Sequence, residues 1–314
     1  MRLIRAVVSA LLCAACLAAG PAHAVTDYAK TKYPIVLVHG VAGTSKFFGV
    51  ADYWWKVPGD LRYNGSQVYI VSMSAFNDEH SRGESLLRQV RDILVLTGAG
   101  KVNLIAHSQG GYDSRYVAAI IPGSVASITT ISTPHRGTHV ADYLASTPSV
   151  VQDFLAGGAS LAGQLLSLFV GSPQQQDPLA ALRLMTTAGS ADFNQRFPSA
   201  GLGATCSSNG AATDVRGGYT QRLYSWAGAS SATNILDIID PLLVLGDATI
   251  RLRGGGDNDG AVPVCSTRFG QFLGTYSWNH IDEINHVFGL RGLFTADPVV
   301  TIRTHANRLK LAGL

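Results

Sequence analysis

Charge is what this chain has least of. Only 14% of its 314 residues are Asp, Glu, Lys or Arg, well below the roughly 25% of an average soluble domain. No lysine- or arginine-rich run occurs anywhere, and the formal net charge is only +3. Phosphate binding needs a concentrated basic footprint, so no nucleic-acid partner is expected. Disorder is excluded by the 46% of hydrophobic residues, enough for a sizeable core. Internal repeats, low-complexity tracts and linker-like stretches are lacking too, so the chain beyond residue 24 reads as one large α/β-sized domain, 25–314.

Long apolar runs are absent, with one exception at the start. Arg2 and Arg5 precede an apolar run from Ala6 to Gly20, and Ala22-His23-Ala24 is a small-x-small processing site. Residues 1–24 therefore read as a secretory leader removed before Val25. The run is too short for a membrane span, so no transmembrane anchor is expected in the mature chain. Cys13 and Cys16 leave with the leader, and neither has a leucine three places upstream, as a lipoprotein signal would need. Losing Arg2 and Arg5 lowers the net charge by two, to +1. Cys206 and Cys265 are then the remaining cysteines, without neighbours at metal spacing, and an exported protein is expected to join them as a disulfide.

The rest of the chain alternates strand and helix signals. Tyr33–Val38, Val68–Val71, Val102–Ile105 and Ser127–Ile131 are short apolar runs of the kind buried in a parallel sheet. Between them, Gly83–Thr97 carries Leu86, Leu87, Val90, Ile93 and Leu94 at helical spacing, and Tyr112–Ile120 also reads as a helix. The alternation predicts an α/β fold with a doubly wound, mostly parallel sheet and helices on both faces. Leu223–Ala227 reads as a late strand, followed by loops rich in Gly and Asp, and Asp297-Pro298 opens a terminal helix. The rhythm breaks over residues 140–184, where an Ala-, Leu- and Gly-rich stretch predicts one or two greasy helices. These are either a helical insertion packed on the core or a movable cap with an apolar underside.

The chemistry begins at Leu104-Ile-Ala-His-Ser-Gln-Gly-Gly111, where a buried strand runs into a serine and two glycines. A serine here is either a polar cap or a nucleophile held on a strained strand–turn–helix elbow. Ala106 stands where the strict G-x-S-x-G pattern has its first glycine, the mildest departure available. Backbone N–H groups of Val41, after the His39-Gly40 turn, and of Gln109 are the expected oxyanion donors. His39 and His107 are read as structural hydrogen-bonders. The carboxylate and base are sought late in the chain: Asp259 in Asn258-Asp-Gly260, with Asp257 as rival, and His280 in Ser277-Trp-Asn-His280, with His286 and His305 as rivals.

With these motifs in order, the chain resembles the secreted bacterial triacylglycerol lipases of the Pseudomonas and Burkholderia type, α/β-hydrolases, essentially throughout 25–314. Tyr33-Pro-Ile-Val-Leu-Val-His-Gly40, Asn103–Gly111, Thr133-Pro-His-Arg-Gly137, Asn258-Asp-Gly260, Asn279-His-Ile-Asp-Glu-Ile-Asn285 and His305-Ala-Asn-Arg-Leu-Lys310 carry the resemblance. It implies Ser108, Asp259 and His280 as a catalytic triad and Cys206–Cys265 as the family disulfide. It also implies a structural Ca2+ held by Asp237, Asp282 and the backbone carbonyls of His286 and Leu290, with Asp240 a competing acid. Relatives usually have glutamine at the first of those carbonyl positions. A helical lid is implied over 151–171, and a lipase-specific foldase in the periplasm as a partner. The same triad would also serve a short-chain carboxylesterase or a polyester depolymerase. A non-catalytic binding protein on this fold would be expected to lack a triad member, and none is missing.

Overall fold

A computed structural model describes residues 26–41, 43, 46–47, 51–147 and 176–314. The expected leader at 1–24 and lid at 151–171 lie outside these residues. Strand β1 (Ile35–Val38) is buried at all four positions, as its unbroken apolar run requires for a strand covered on both faces. After a short antiparallel pair, β2 (Lys46–Phe47) and β3 (Ala51–Asp52), comes helix α1 (Val57–Tyr63). Then follow β4 (Val68–Ile70), α2 (Glu79–Thr97), β5 (Val102–His107), α3 (Gly110–Ile120) and β6 (Val125–Ile131). Helix α2 begins four residues earlier than its apolar spacing suggested, because the Asp78 side chain accepts from Ser81 N–H at 2.6 Å and caps it.

Strands β4, β1, β5 and β6 lie side by side and parallel, followed by β8 (Tyr219–Gly228). Strand β8 pairs antiparallel with β7 (Thr213–Arg216) near its start and parallel with β9 (Gln271–Tyr276) near its end. Alternate residues of β1 feed opposite layers. Val36 and Val38 pack with Leu86, Leu87 and Val90 of α2 and Val117 of α3. Ile35 and Leu37 pack with Val57 and Leu61 of α1 and with Ile302 and Ala306 of α9 (Pro298–Leu311). Asp297 caps α9 as expected, its carboxylate accepting from Val299 N–H at 2.8 Å.

Between β6 and β9 lie α4 (His139–Ser146), α5 (Pro178–Met185), α6 (Thr187–Arg196), α7 (Asp240–Leu252) and α8 (Val264–Thr267). The 13-residue α7 and strand β9 replace the loops expected after Ala227. Cys206 and Cys265 are disulfide-bonded with Cα atoms 5.1 Å apart, which anchors α8. No helix among the described residues is long and apolar enough to cross a membrane.

Candidate active site

The chain turns from β5 into α3 over two residues, and Ser108 takes the strain. Its φ is 54°, a left-handed conformation that costs a non-glycine residue roughly 1–2 kcal/mol. The surroundings hold it there. Ser108 N–H donates to Ile131 O at 2.9 Å, and Ser108 O accepts from Thr133 Oγ1 at 2.7 Å and from Gly111 N–H at 3.1 Å. Close packing sets the turn's width: a Cβ on Gly40 would lie 2.6 Å from Ser108 Cβ, and one on Gly110 2.7 Å from His39 O. Gln109 caps α3, so its N–H has no carbonyl one turn back to bond and is available to a ligand. Val41 follows the Gly40 turn, just beyond the end of the neighbouring strand β1.

Asp259 and His280 come together from two late loops. His280 Nδ1 lies 2.7 Å from Asp259 Oδ2, and His280 N–H donates to Asp259 O at 2.9 Å. Asp259 Oδ1 accepts from the backbone N–H groups of Ala261 and Val262 at 2.9 and 2.7 Å. Burial alone would raise the Asp259 carboxyl; the His280 ring and those two N–H groups outweigh it and hold it below the usual carboxylate range. With Nδ1 donating to the carboxylate, Nε2 is the bare nitrogen that a proton can reach. No hydrogen bond joins the Ser108 hydroxyl to His280 in this arrangement; His107 links the two, with its Nε2 2.9 Å from His280 O.

The rival residues sit elsewhere. Asp257 is exposed to solvent. His305 is buried in α9 between Thr129 Oγ1 and Arg308 Nη1. His286 Nδ1 accepts from Val287 N–H at 2.7 Å, and burial lowers its ring to about 4. His39 Nε2 accepts from Met73 N–H at 2.9 Å, and its burial and the Arg82 charge lower it to about 3, as a structural histidine. A surface cleft of about 520 Å³ bounded by Lys56, Asp60, Phe288, Arg291 and Asp297 contains no nucleophile–base pair.

Two residues escaped the sequence reading. Glu283 is fully buried, accepting from Ser132 Oγ at 2.5 Å and from Gly228 N–H, with Oε2 3.5 Å from His107 Nε2. Burial and the nearby Asp259 charge push its carboxyl well above the usual range. Its place three residues after His280 was the one available signal. Tyr53 is buried beside His107, with its hydroxyl 2.6 Å from Nδ1; nothing local marks it. His107, His280 and Glu283 are close enough to share a metal ion, but both ring nitrogens of His107 already serve Tyr53 and the His280 carbonyl.

The calcium ligands expected from the resemblance can be tested by asking which acids lack partners. Asp237 Oδ2 and Asp282 Oδ1 are both buried without a hydrogen-bond partner. Burial and the Asp237 and Asp240 charges push the Asp282 carboxyl up to about 7. Asp240, in contrast, spends Oδ2 on Thr233 and Asn234 N–H and Oδ1 on Asn279 Nδ2, so it is a loop cap and no rival ligand. His286 and Leu290 flank a cramped turn in which Val287 and Phe288 have φ of 50° and 59°. Two orphaned hard oxygens on acids near enough for the charge of one to raise the other fit a calcium ion.

Ser108 is strained at a strand–helix joint of an α/β sheet, and the Asp259–His280 pair is tied to the residue before it by the His107–His280 carbonyl hydrogen bond. Residues 33–282 match the family model described as the alpha/beta hydrolase fold. The chain is 46% identical to a triacylglycerol lipase of Burkholderia plantarii, covering 95% of this chain and 92% of that one. It is 44% identical to a triacylglycerol lipase of Vibrio cholerae, over 93% of each. The solved structure of a mature Bacillus licheniformis lipase, BlEst2, shares the fold at a TM-score of 0.60 and 20% identity, over 89% of this chain and 93% of that one. The chain belongs to the alpha/beta hydrolase fold family and, within it, to the bacterial triacylglycerol lipases.

Proposed function

We propose that this protein is an exported lipase that hydrolyses long-chain triacylglycerols at an oil–water surface. The observation that carries the reading is Ser108, held at positive φ next to His107, whose ring bonds the carbonyl of His280 in the Asp259–His280 pair. In the proposed reaction Ser108 Oγ attacks the ester carbonyl while His280 Nε2 takes its proton. Val41 and Gln109 N–H receive the oxyanion. The tetrahedral intermediate collapses, the leaving alcohol takes the proton back from His280, and an acyl-Ser108 ester remains. Water, deprotonated by the same nitrogen, attacks that ester and releases the fatty acid. Asp259 keeps the ring's tautomer and stabilises the imidazolium formed at each step.

Supporting an interfacial substrate, Ile235, Leu236, Ile238, Leu293 and Phe294 project large apolar side chains into solvent. They sit on two loops joined by the Asn234 Nδ2–Arg291 O hydrogen bond at 3.0 Å. Calcium, held by Asp237, Asp282 and the His286 and Leu290 carbonyls, would supply structural cross-linking and no chemical step. The disulfide supports an oxidising, extracellular destination. A periplasmic lipase-specific foldase belongs to the same reading, by resemblance.

The test compares emulsified long-chain triacylglycerol with a soluble short-chain ester, using wild type and Ser108→Ala. Fast, Ser108-dependent release of fatty acid from the emulsion is expected. Attack on the soluble ester alone would make the protein a carboxylesterase and sink the interfacial reading. Activity surviving in Ser108→Ala would sink the triad.

A further inference from the structure

Tyr53 has no part in the reaction just described, yet its hydroxyl stands where three pieces of the site meet. Gly40 N–H, in the turn before the proposed oxyanion donor Val41, lies 3.0 Å from it. His107 Nδ1, in the residue before the nucleophile, lies 2.6 Å away. The other nitrogen of that ring, Nε2, reaches the His280 carbonyl at 2.9 Å.

The donors in this chain can be assigned from the ends inward. A backbone N–H only donates, so Tyr53 Oη accepts from Gly40. A backbone carbonyl only accepts, so His107 Nε2 must carry a proton toward His280 O. Burial, and after it the His280 ring, keep the His107 imidazole neutral, which leaves Nδ1 bare. The Tyr53 hydroxyl therefore donates to Nδ1, and every bond runs the same way, from Gly40 through Tyr53 and His107 to His280.

We propose that Tyr53 and His107 are positioning residues, a directed hydrogen-bond chain that aims the oxyanion turn and the catalytic histidine at Ser108 together. The inference rests on the serine-hydrolase reading above. Tyr53 is suited to the task by its lack of freedom: it is 4% exposed. Its ring is wedged against the rings of His39, Trp54, His107 and His286 at centroid distances of 5.7–5.9 Å. The turn it holds is fixed from the other side by Arg82, whose Nη2 donates to His39 O at 2.8 Å. Those two bonds pin the His39–Gly40 peptide. The next one, which bears Val41 N–H, is held through Gly40 O, which accepts from His39 Nδ1 at 2.9 Å and from Gly43 N–H at 3.2 Å, so it has little room to rotate. Proton transfer itself needs neither residue, so their loss would misaim the site without removing a reacting group.

Tyr53→Phe deletes the hydroxyl alone. The expected result is a fall in kcat on a soluble ester of at least about tenfold, bounded by the roughly 100- to 1,000-fold cost of removing an oxyanion donor outright. KM should stay within about twofold, the pattern of an interaction realised in the transition state. The affinity of an alkyl boronic acid, which turns tetrahedral on Ser108, should fall by about the same factor as kcat. A merely structural role would lower the melting temperature and leave these ratios unmoved.

His107→Gln keeps a donor toward His280 O but offers Tyr53 no equivalent acceptor, so it should show the same pattern, and it carries the test alone if Tyr53→Phe does not fold. The double variant should be no worse than the poorer single one, because both break one chain. Wild-type kcat and boronate affinity in Tyr53→Phe, or losses that multiply in the double variant, would overturn the proposal. Ser108→Ala in the same assay keeps the two readings apart: if it remains active, the serine-hydrolase reading has failed and not the positioning chain.

Discussion

Gly110 heads helix α3, and replacing it with alanine sets two effects against each other. Alanine is worth up to about 1 kcal/mol over glycine inside a helix. The new Cβ, however, would stand 2.7 Å from His39 O and 2.8 Å from Val38 O. Those neighbours are main-chain atoms of β1 and its turn and cannot swing aside as a side-chain end would. Restoring an ordinary contact of about 3.4 Å requires the helix and β1 to part by roughly 0.6–0.7 Å, and overpacking of this kind costs about 1–3 kcal/mol. The steric effect wins, with a net loss of about 1–2 kcal/mol.

The catalytic loss should exceed what stability alone predicts. The strand being pushed ends in His39-Gly40, the turn before Val41, while the helix being pushed begins beside Ser108. A misplacement of about 1 Å costs on the order of 100-fold in rate, so roughly two thirds of that points to about 20-fold. Gly59 in α1 is the matched control: it is helical, and a Cβ there meets nothing within 4 Å. Gly59→Ala should raise the melting temperature slightly and leave kcat alone. The assay is soluble-ester kcat beside thermal or urea unfolding for both variants. If Gly110→Ala proves as stable and as active as Gly59→Ala, close approach at the elbow does not shape this site.

The other predictions concern charge and metal. Asp259 is held below its ordinary value of 3.8 in the folded chain, so the unfolded chain binds more protons in acid. Its stabilising contribution is present above about pH 4 and is lost as pH falls through the folded value. Asp259→Asn should therefore be less stable than wild type near neutrality, with the gap narrowing in urea titrations below about pH 4; a gap independent of pH would contradict the sign. For the proposed calcium site, a chelator should lower the wild-type melting temperature. The loss corresponds to about 2.7 kcal/mol if calcium stood at 100 times its Kd. Asp237→Asn should unfold at one temperature with or without chelator, and an unmoved wild type would remove calcium from the account.

The sheet and the elbow were legible because both are written in adjacent residues. Continuous apolar runs announce β1, β5 and β6, and a serine between such a run and two glycines has few conformations to choose from. Asp259 and His280 could be proposed because each sits in its own turn signature, Asn258-Asp-Gly260 and the Asn279 turn whose Oδ1 accepts from Ile281 and Asp282 N–H. Helix α7 was lost for the opposite reason. It buries Leu243, Gly246 and Ile250 but turns Val244, Leu245 and Leu252 outward, so its apolar residues form no single stripe. An apolar outer face beside the site is what an enzyme working at oil would carry, so the feature that hid this helix fits the proposed substrate.

Tyr53 and Glu283 were illegible for a deeper reason. Tyr53 meets His107 across 54 residues and Glu283 meets Ser132 across 151, and nothing near either residue records its partner. Periodicity reports what a segment must bury, and turn chemistry reports how it must bend; neither reports which buried hydroxyl will find which imidazole. Once the fold has closed, though, such a contact is obligatory, because a buried polar group without a partner costs roughly 1–3 kcal/mol. The groups proposed to react can therefore be nominated, with rivals, from local spacing, while the groups proposed to aim them become visible only when each buried donor is matched to its acceptor.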